Sequence, residues 1–492
     1  MNIAQAKEYI KNDVSLYLKK DEYGDYRIPV ERQRPIFLLG APGIGKTAIM
    51  EQIAGEMGIA LVAYSMTHHT RQSALGLPFI KQKTYRGKTY DVSEYTMSEI
   101  IASVYDTMEE SGVTEGILFL DEINCVSETL APSMLQFLQY KVFGKHQVPE
   151  GWVIVVAGNP PLYNRSVRTF DVATLDRLKV LEVAADYPTW KVYAGERGIH
   201  GAVTGFLDAN RDDFYSVETV AGERNYITAR GWEDVSDIIK LYEEESLPVD
   251  ETLVGQYIRN ERVVKEFTAY YDLYLRYRKD YRADEILEGR ISDAAVEQAK
   301  RARLDERLSL LSLLSDRVKC AMRDAVATSD YLKDLMPILS VVKDADDVGE
   351  SVEAARAIAE RALQKRKAAG ALSAEEKRRR KRTLAFLSGV SGSDTFAAIE
   401  EKFQAEVAGM KQSVSEAQEM LKHLYTFAGK AFDEERELLV LTTELTVDTG
   451  AARFIAMFGS EEYRHYQELL MVSKRQDMMK QEIMEWSLGK EG

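Results

Sequence analysis

The stretch GAPGIGKT, residues 40–47, follows the apolar run IFLL (36–39) directly and opens into KTAIMEQIAGEMG. It matches G-x-x-x-x-G-K-[ST], a pattern that makes sense only between a buried strand and a helix. Glycines at 40, 43 and 45 allow the backbone to curl so that its N–H groups converge on phosphate oxygens. The helix that follows aims its N-terminal dipole at the same anion. Lys46 is expected to reach the β- and γ-phosphates, and the Thr47 hydroxyl to bind a magnesium ion. The loop residues Gly40, Ala41, Pro42, Gly43, Ile44 and Gly45, with Lys46 and Thr47, are therefore the expected ATP contacts. Such a turn needs a parallel sheet behind it, and the flanking sequence supplies one.

IALVAY (59–64), ILFL (117–120), VIVVA (153–157) and VLEV (180–183) read with IFLL as buried strands. Their near-continuous aliphatic character suits a parallel sheet covered by helices on both faces. Ile49, Ile53 and Met57 keep helical spacing, with Gly58 as the stop. In TMSEIIASVYDTMEESG, Thr96 and Glu99 are spaced as a capping box for a helix that buries Ile100, Val104 and Met108. After about residue 185 strand signals fade. WEDVSDIIKLYEEE and LDERLSLLSLLSDRVKCAM read as amphipathic helices. From Val407, the positions Met410, Val414, Ala417, Leu421, Leu424 and Ala428 alternate steps of three and four, as in a coiled-coil seam or a long antiparallel hairpin.

Two further patterns bear on chemistry. In GILFLDEIN (116–124) a buried strand ends in two acids. Adjacent strand residues point in different directions, so Asp121 can hold magnesium while Glu122 orients and deprotonates water. In VIVVAGNPP, Asn159 follows another buried strand; it either positions water and senses the γ-phosphate or serves as a turn residue before Pro160.

These motifs, followed by TLDRL (174–178), resemble an AAA+ ATPase. Within that superfamily the chain is similar to the MoxR group, on HHTRQSALGLP (68–78), LDEINCVSETLAPSMLQFLQ (120–139), GWVIVVAGNPPLYN (151–164), FDVATLDRL (170–178) and ARGWEDVSDI (229–238). The resemblance covers roughly residues 30–325. It implies a P-loop NTPase core of α/β class over residues 1–185 and an all-helical lid over 186–328; beyond about 330 the sequence itself reads as wholly helical, an all-α carboxyl-terminal domain over 329–492. It implies a homo-oligomeric ring, a hexamer, in which Arg177 reaches the neighbour's γ-phosphate as a finger, with Arg165 and Arg168 as rivals. Arg230 corresponds to the sensor-2 arginine of the lid. KTYRGKTY resembles a hairpin insertion that faces the pore in related motors. VFGKHQVPEGW (142–152) is either a second, shortened pore hairpin or a plain loop. The implied partner carries a von Willebrand factor A domain. This chain lacks that domain's D-x-S-x-S motif, since Tyr17 ends DVSLY, so the partner is expected to be a separate protein.

Composition narrows the alternatives. At 492 residues, 45% hydrophobic and 29% charged, the chain is expected to form two or three globular domains. No apolar run is long enough to span a bilayer. MNIAQAKEYIKND has no apolar leader, and two cysteines, Cys125 and Cys320, fit a reducing compartment, so a cytoplasmic location without membrane partners is expected. A formal charge of −15 argues against broad nucleic-acid affinity. His68 and His69 lack a third ligand and read as ordinary histidines rather than a metal site. The basic run QKRKAAGALSAEEKRRRKRT remains open between a solvated face, a dock for an acidic partner and a nucleic-acid contact; Ser373 and Glu376 are spaced to cap a helix from Ala374. Rival activities are a nucleic-acid-stimulated motor and an ATP-gated scaffold that hydrolyses slowly.

Overall fold

The computed structural model describes residues 1–68, 74, 76–143, 145–163, 167–220, 223–345, 347–391, 395–432 and 435–469. The chain divides into two compact units. The first comprises residues 1–189, 228–230 and 349–392; the second comprises 190–227, 231–348 and 393–492. The two units interleave along the chain, whereas the sequence alone suggests three consecutive segments.

In the first unit the five apolar runs form strands β1 (Ile36–Gly40), β2 (Ala60–Ser65), β5 (Gly116–Asp121), β8 (Trp152–Gly158) and β9 (Lys179–Val183). They make one parallel sheet in the order β2-β5-β8-β1-β9. Every residue of β8 is buried, so this strand is covered on both faces. Helix α1 (Ile3–Tyr17) starts at a capping box of Asn2 and Gln5 and buries Ala6, Ile10, Val14 and Tyr17. Helix α2 (Lys46–Met57) begins at the Gly-rich turn and stops at Gly58, whose φ of +69° ends the helix in a left-handed cap.

Between β2 and the helix Glu99–Ser111 stands an antiparallel hairpin, β3 (Pro78–Tyr85) with β4 (Lys88–Tyr95). Arg86 and Gly87 both have positive φ, the geometry of a two-residue hairpin turn. The capping expectation for the next helix changes here. Ser98, not Thr96, is the N-cap and accepts from the Ile101 N–H. The Thr96 hydroxyl instead accepts from the Leu77 N–H at 2.9 Å and closes the base of the hairpin. A second hairpin, β6 (Val142–Phe143) with β7 (His146–Gln147), is short. Its Lys145 joins Lys83 in pairing with Glu94, which ties the two hairpins together. The two ammonium groups hold the Glu94 carboxyl down at about 2.

The second unit is helical apart from one antiparallel hairpin among its described residues, β10 (Ser216–Val220) with β11 (Glu223–Ile227), which departs from an all-helical lid. Its axis is a 40-residue helix, Leu304–Lys343. The 36-residue helix Phe396–Ala431 packs against it. The expected seam is only half realised there: Ala417, Leu421, Leu424 and Ala428 are buried, whereas Val407, Met410 and Val414 are half-buried. Among the described residues no helix is long and apolar enough to cross a membrane.

Candidate nucleotide site

The site lies in the first unit, where β1, β5 and β8 end side by side. The turn after β1 owes its shape to two glycines. Gly43 and Gly45 have φ of +74° and +95°, a region that L side chains rarely enter. Gly40 is needed for another reason: a Cβ there would lie 2.7 Å from the Val183 carbonyl oxygen on β9 and 2.8 Å from Ile44 Cδ1. Ala41 and Ile44 are buried and hold the turn to the core.

Lys46 heads α2 and is 7% exposed. Its Nζ donates to the carbonyls of Gly40 and Ala41, both at 2.8 Å, and to Asn159 Oδ1 at 2.9 Å. All three acceptors are neutral. Burial pushes the ammonium down to about 8, against the pull of Asp121, and Arg230 pushes it the same way as burial. Thr47 Oγ1 donates to Asp121 Oδ2 at 3.1 Å. Two direct hydrogen bonds, Lys46 to Asn159 and Thr47 to Asp121, therefore tie the first turn of α2 to two other stretches of sequence.

Glu122 departs from strand geometry with φ of +57°, uncommon for a residue with a Cβ. Its N–H donates to Asp121 Oδ1 at 2.8 Å. The turn swings its carboxylate toward the end of β2, where Oε2 accepts from Ser65 Oγ at 3.0 Å and Thr67 Oγ1 at 2.9 Å. Neither hydroxyl was singled out in the sequence, although both follow the buried strand closely. Asn124 was also missed. It is 4% exposed, donates Nδ2–H to the Asn159 carbonyl at 2.8 Å and accepts from the Asn159 N–H at 3.3 Å. The fit is close enough that a Cβ on Gly158 would lie 2.5 Å from Asn124 Oδ1.

The arginines are placed differently. Arg230 is exposed, with its Cβ 3.6 Å from the position a Gly43 Cβ would take, so it stands beside the Gly-rich turn. Arg177 is exposed just after the short helix Val172–Leu175, which Asp171 caps through the Thr174 N–H at 2.8 Å. Arg168 pairs with Glu128 at 2.6 Å and donates its N–H to the Asn124 carbonyl at 2.9 Å. Arg165 and His69 lie outside the described residues. Among the described residues no group of three or more His, Cys, Asp or Glu is placed to hold a metal ion.

The donor set fits a triphosphate with magnesium. A buried ammonium bonded only to neutral oxygens lacks an anion, a left-handed glycine turn presents N–H groups, and a hydroxyl–carboxylate pair offers two oxygens to a hard cation. Residues 36–172 match the family model described as ATPase family associated with various cellular activities (AAA). No curated protein matches the chain.

Proposed function

Taking residues 36–172 as an AAA-type ATPase domain, we propose that the chain is an MgATP-hydrolysing ring motor of the MoxR type, remodelling a separate partner protein that carries a von Willebrand factor A domain. The observation that carries this reading is the pair of bonds Lys46 to Asn159 and Thr47 to Asp121, beside Glu122. The 40–45 backbone and Lys46 bind the phosphates; Thr47 and Asp121 hold magnesium. Bound magnesium offsets negative charge on the phosphates during transfer.

Glu122 takes the proton of the attacking water, and Asn159 orients that water while Asn124 fixes the Asn159 backbone. Ser65 and Thr67 hold the Glu122 carboxylate in place. Arg230 contributes positive charge from the same subunit. Arg177 does so from the adjoining one, completing each site in a hexameric ring. Both arginines are exposed, and the pairing of Arg168 with Glu128 on its own chain favours Arg177. A cytoplasmic setting belongs to the same reading.

Glu122→Gln tests the assignment. The amide cannot act as base, so turnover should fall about 100-fold or more while nucleotide affinity is kept. Undiminished turnover in a folded variant would remove Glu122 from the chemistry. The ring and the partner are tested with the same trapped variant, by its mass with MgATP and by identification of the proteins it retains.

A further inference from the structure

Residues 361–382 carry ten Lys or Arg against two Glu, a net charge of +8. Subtracting that from −15 leaves −23 on the rest of the chain. The basic run is folded. It spans the end of the helix Val348–Ala368, a tight turn, and the helix Ala374–Ser388, capped by Ser373 through the Glu376 N–H at 3.1 Å.

Part of the charge is used within the fold. Glu376 accepts from Arg366 at 3.4 Å and from Arg380 at 2.9 Å, which locks the two helices together. The Lys365 ammonium lies 3.9 Å from where a Cβ on Gly112 would be, beside the carboxyl end of the helix Glu99–Ser111, where a cation is favoured. Lys377, Arg378, Lys381 and Arg382 are exposed and recur at helical spacing opposite the buried Thr383 and Leu387. They form a cationic face on an otherwise acidic molecule.

The turn beneath this face is built into the ATPase sheet. β2 is an edge strand, and its Leu61 N–H donates to the Ala369 carbonyl at 2.7 Å. Gly370 has φ of +64°, and a Cβ there would stand 2.4 Å from the Leu61 carbonyl oxygen. Ala369 and Ala371 are buried, and the Ala371 carbonyl oxygen lies 3.6 Å from the Cβ position of Gly55 on α2. The turn therefore rests on the strand that ends at Ser65 and on the helix that begins at Lys46.

We propose that the helical pair 349–391 is a docking site for an acidic polypeptide segment of a partner protein, and that occupancy of this face alters ATP turnover through the Ala369–Ala371 turn. Charge complementarity selects the partner. A short acidic segment matches a local cationic face, whereas a long polyphosphate backbone would also meet the −23 of the remaining surface. No Phe, Tyr or Trp lies among residues 361–382 to stack bases. The turnover clause rests on the ATPase reading; the docking clause does not.

The test uses the full chain and a fluorescein-labelled oligoglutamate peptide, read by anisotropy, beside labelled oligo(dT). The wild type should bind the peptide, more weakly as salt rises. The triple variant Lys377→Glu, Arg378→Glu, Lys381→Glu should bind it about tenfold or more weakly. Its circular dichroism, Tm and peptide-free ATP turnover should match the wild type. Saturating peptide should change wild-type turnover about twofold or more and leave the variant unmoved. Equal peptide binding by variant and wild type overturns the dock. Tighter, Lys377-dependent binding of oligo(dT) overturns the choice of partner, and a changed oligomeric state in the triple variant assigns the face to another copy of this chain. Peptide binding without any change in turnover overturns the coupling alone. Absence of turnover in the wild type counts against the ATPase reading and leaves the binding result standing.

Discussion

Lys46 in the first unit and Lys319 in the second are both buried, at 7% and 5% exposure, yet their surroundings are opposite in kind. Lys319 donates to Glu444 Oε1 at 2.6 Å and lies 3.8 Å from Asp316. Burial alone would lower its ammonium, but Glu444 and then Asp316 outweigh it, and its affinity for the proton is raised. Lys46 bonds to three neutral oxygens, and burial wins. A buried cation with its anion supplied within the fold serves the fold. One without it is stabilised when an anion arrives from outside, and this difference separates a structural lysine from a ligand-binding one.

The largest expected effects break this pair apart. Lys319→Met leaves the half-buried Glu444 and Asp316 without their cation and should cost about 3 kcal/mol of stability, with nucleotide affinity kept in whatever fraction folds. Lys46→Met should do the reverse: nucleotide affinity falls about 100-fold or more, while chemical denaturation detects no loss of stability. Titration of a fluorescent ATP analogue and urea unfolding of both variants suffice. If Lys46→Met unfolds the chain and Lys319→Met abolishes nucleotide binding, the contrast is wrong.

Acidity sharpens the same contrast. Lys46 titrates near 8 in the free protein, and phosphate binding favours its charged form. Nucleotide affinity should therefore be full below about pH 8 and fall as pH rises above it, by up to about tenfold per unit, a trend absent in Lys46→Met. Asp316 is shifted in the opposite direction. Burial raises its carboxyl from 3.8 to about 6, against the attraction of Lys319. The folded chain then retains a proton that the unfolded chain releases, so stability is lost as pH rises from about 4 to about 6. Asp316→Asn should stabilise the fold at pH 7 by on the order of 1–3 kcal/mol, read as a higher Tm, and change little at pH 4. A variant equally shifted at both pH values would show that charge is not the cause.

Much of the first unit was legible in the sequence. Its strands are short unbroken apolar runs, and its Gly-rich turn, paired acids and Asn159 each follow such a run at the edge where a parallel sheet collects its polar residues. Asn124, Ser65 and Thr67 were not legible, because their roles depend on which strand ends become neighbours, and the order β2-β5-β8 is a property of the folded sheet. The return of residues 349–392 to the first unit was hidden for the same reason. Ala369-Gly370-Ala371 reads as an ordinary inter-helix turn until Leu61 is seen to bond to it. The seam from Val407 was half legible: heptad spacing states which residues can share a face, but not how far a partner helix extends along it.

The smallest expected effect concerns the local rule that misassigned a cap. Thr96 and Ser98 both precede the helix Glu99–Ser111, and the capping box favours Thr96. Yet Ser98 satisfies the Ile101 N–H, and the Thr96 hydroxyl is occupied by the Leu77 N–H across the hairpin base. Ser98→Ala should therefore destabilise the first unit by about 1 kcal/mol. Thr96→Ala should cost less globally, about 0.5 kcal/mol, and should instead speed amide exchange at Leu77. A larger loss of stability from Thr96→Ala, with Leu77 exchange unchanged, would restore the box and detach the hairpin base from Thr96. The ranking follows from what each hydroxyl holds: one closes a helix that buries Ile100, Ile101 and Val104, and the other closes a hairpin whose strands are largely exposed.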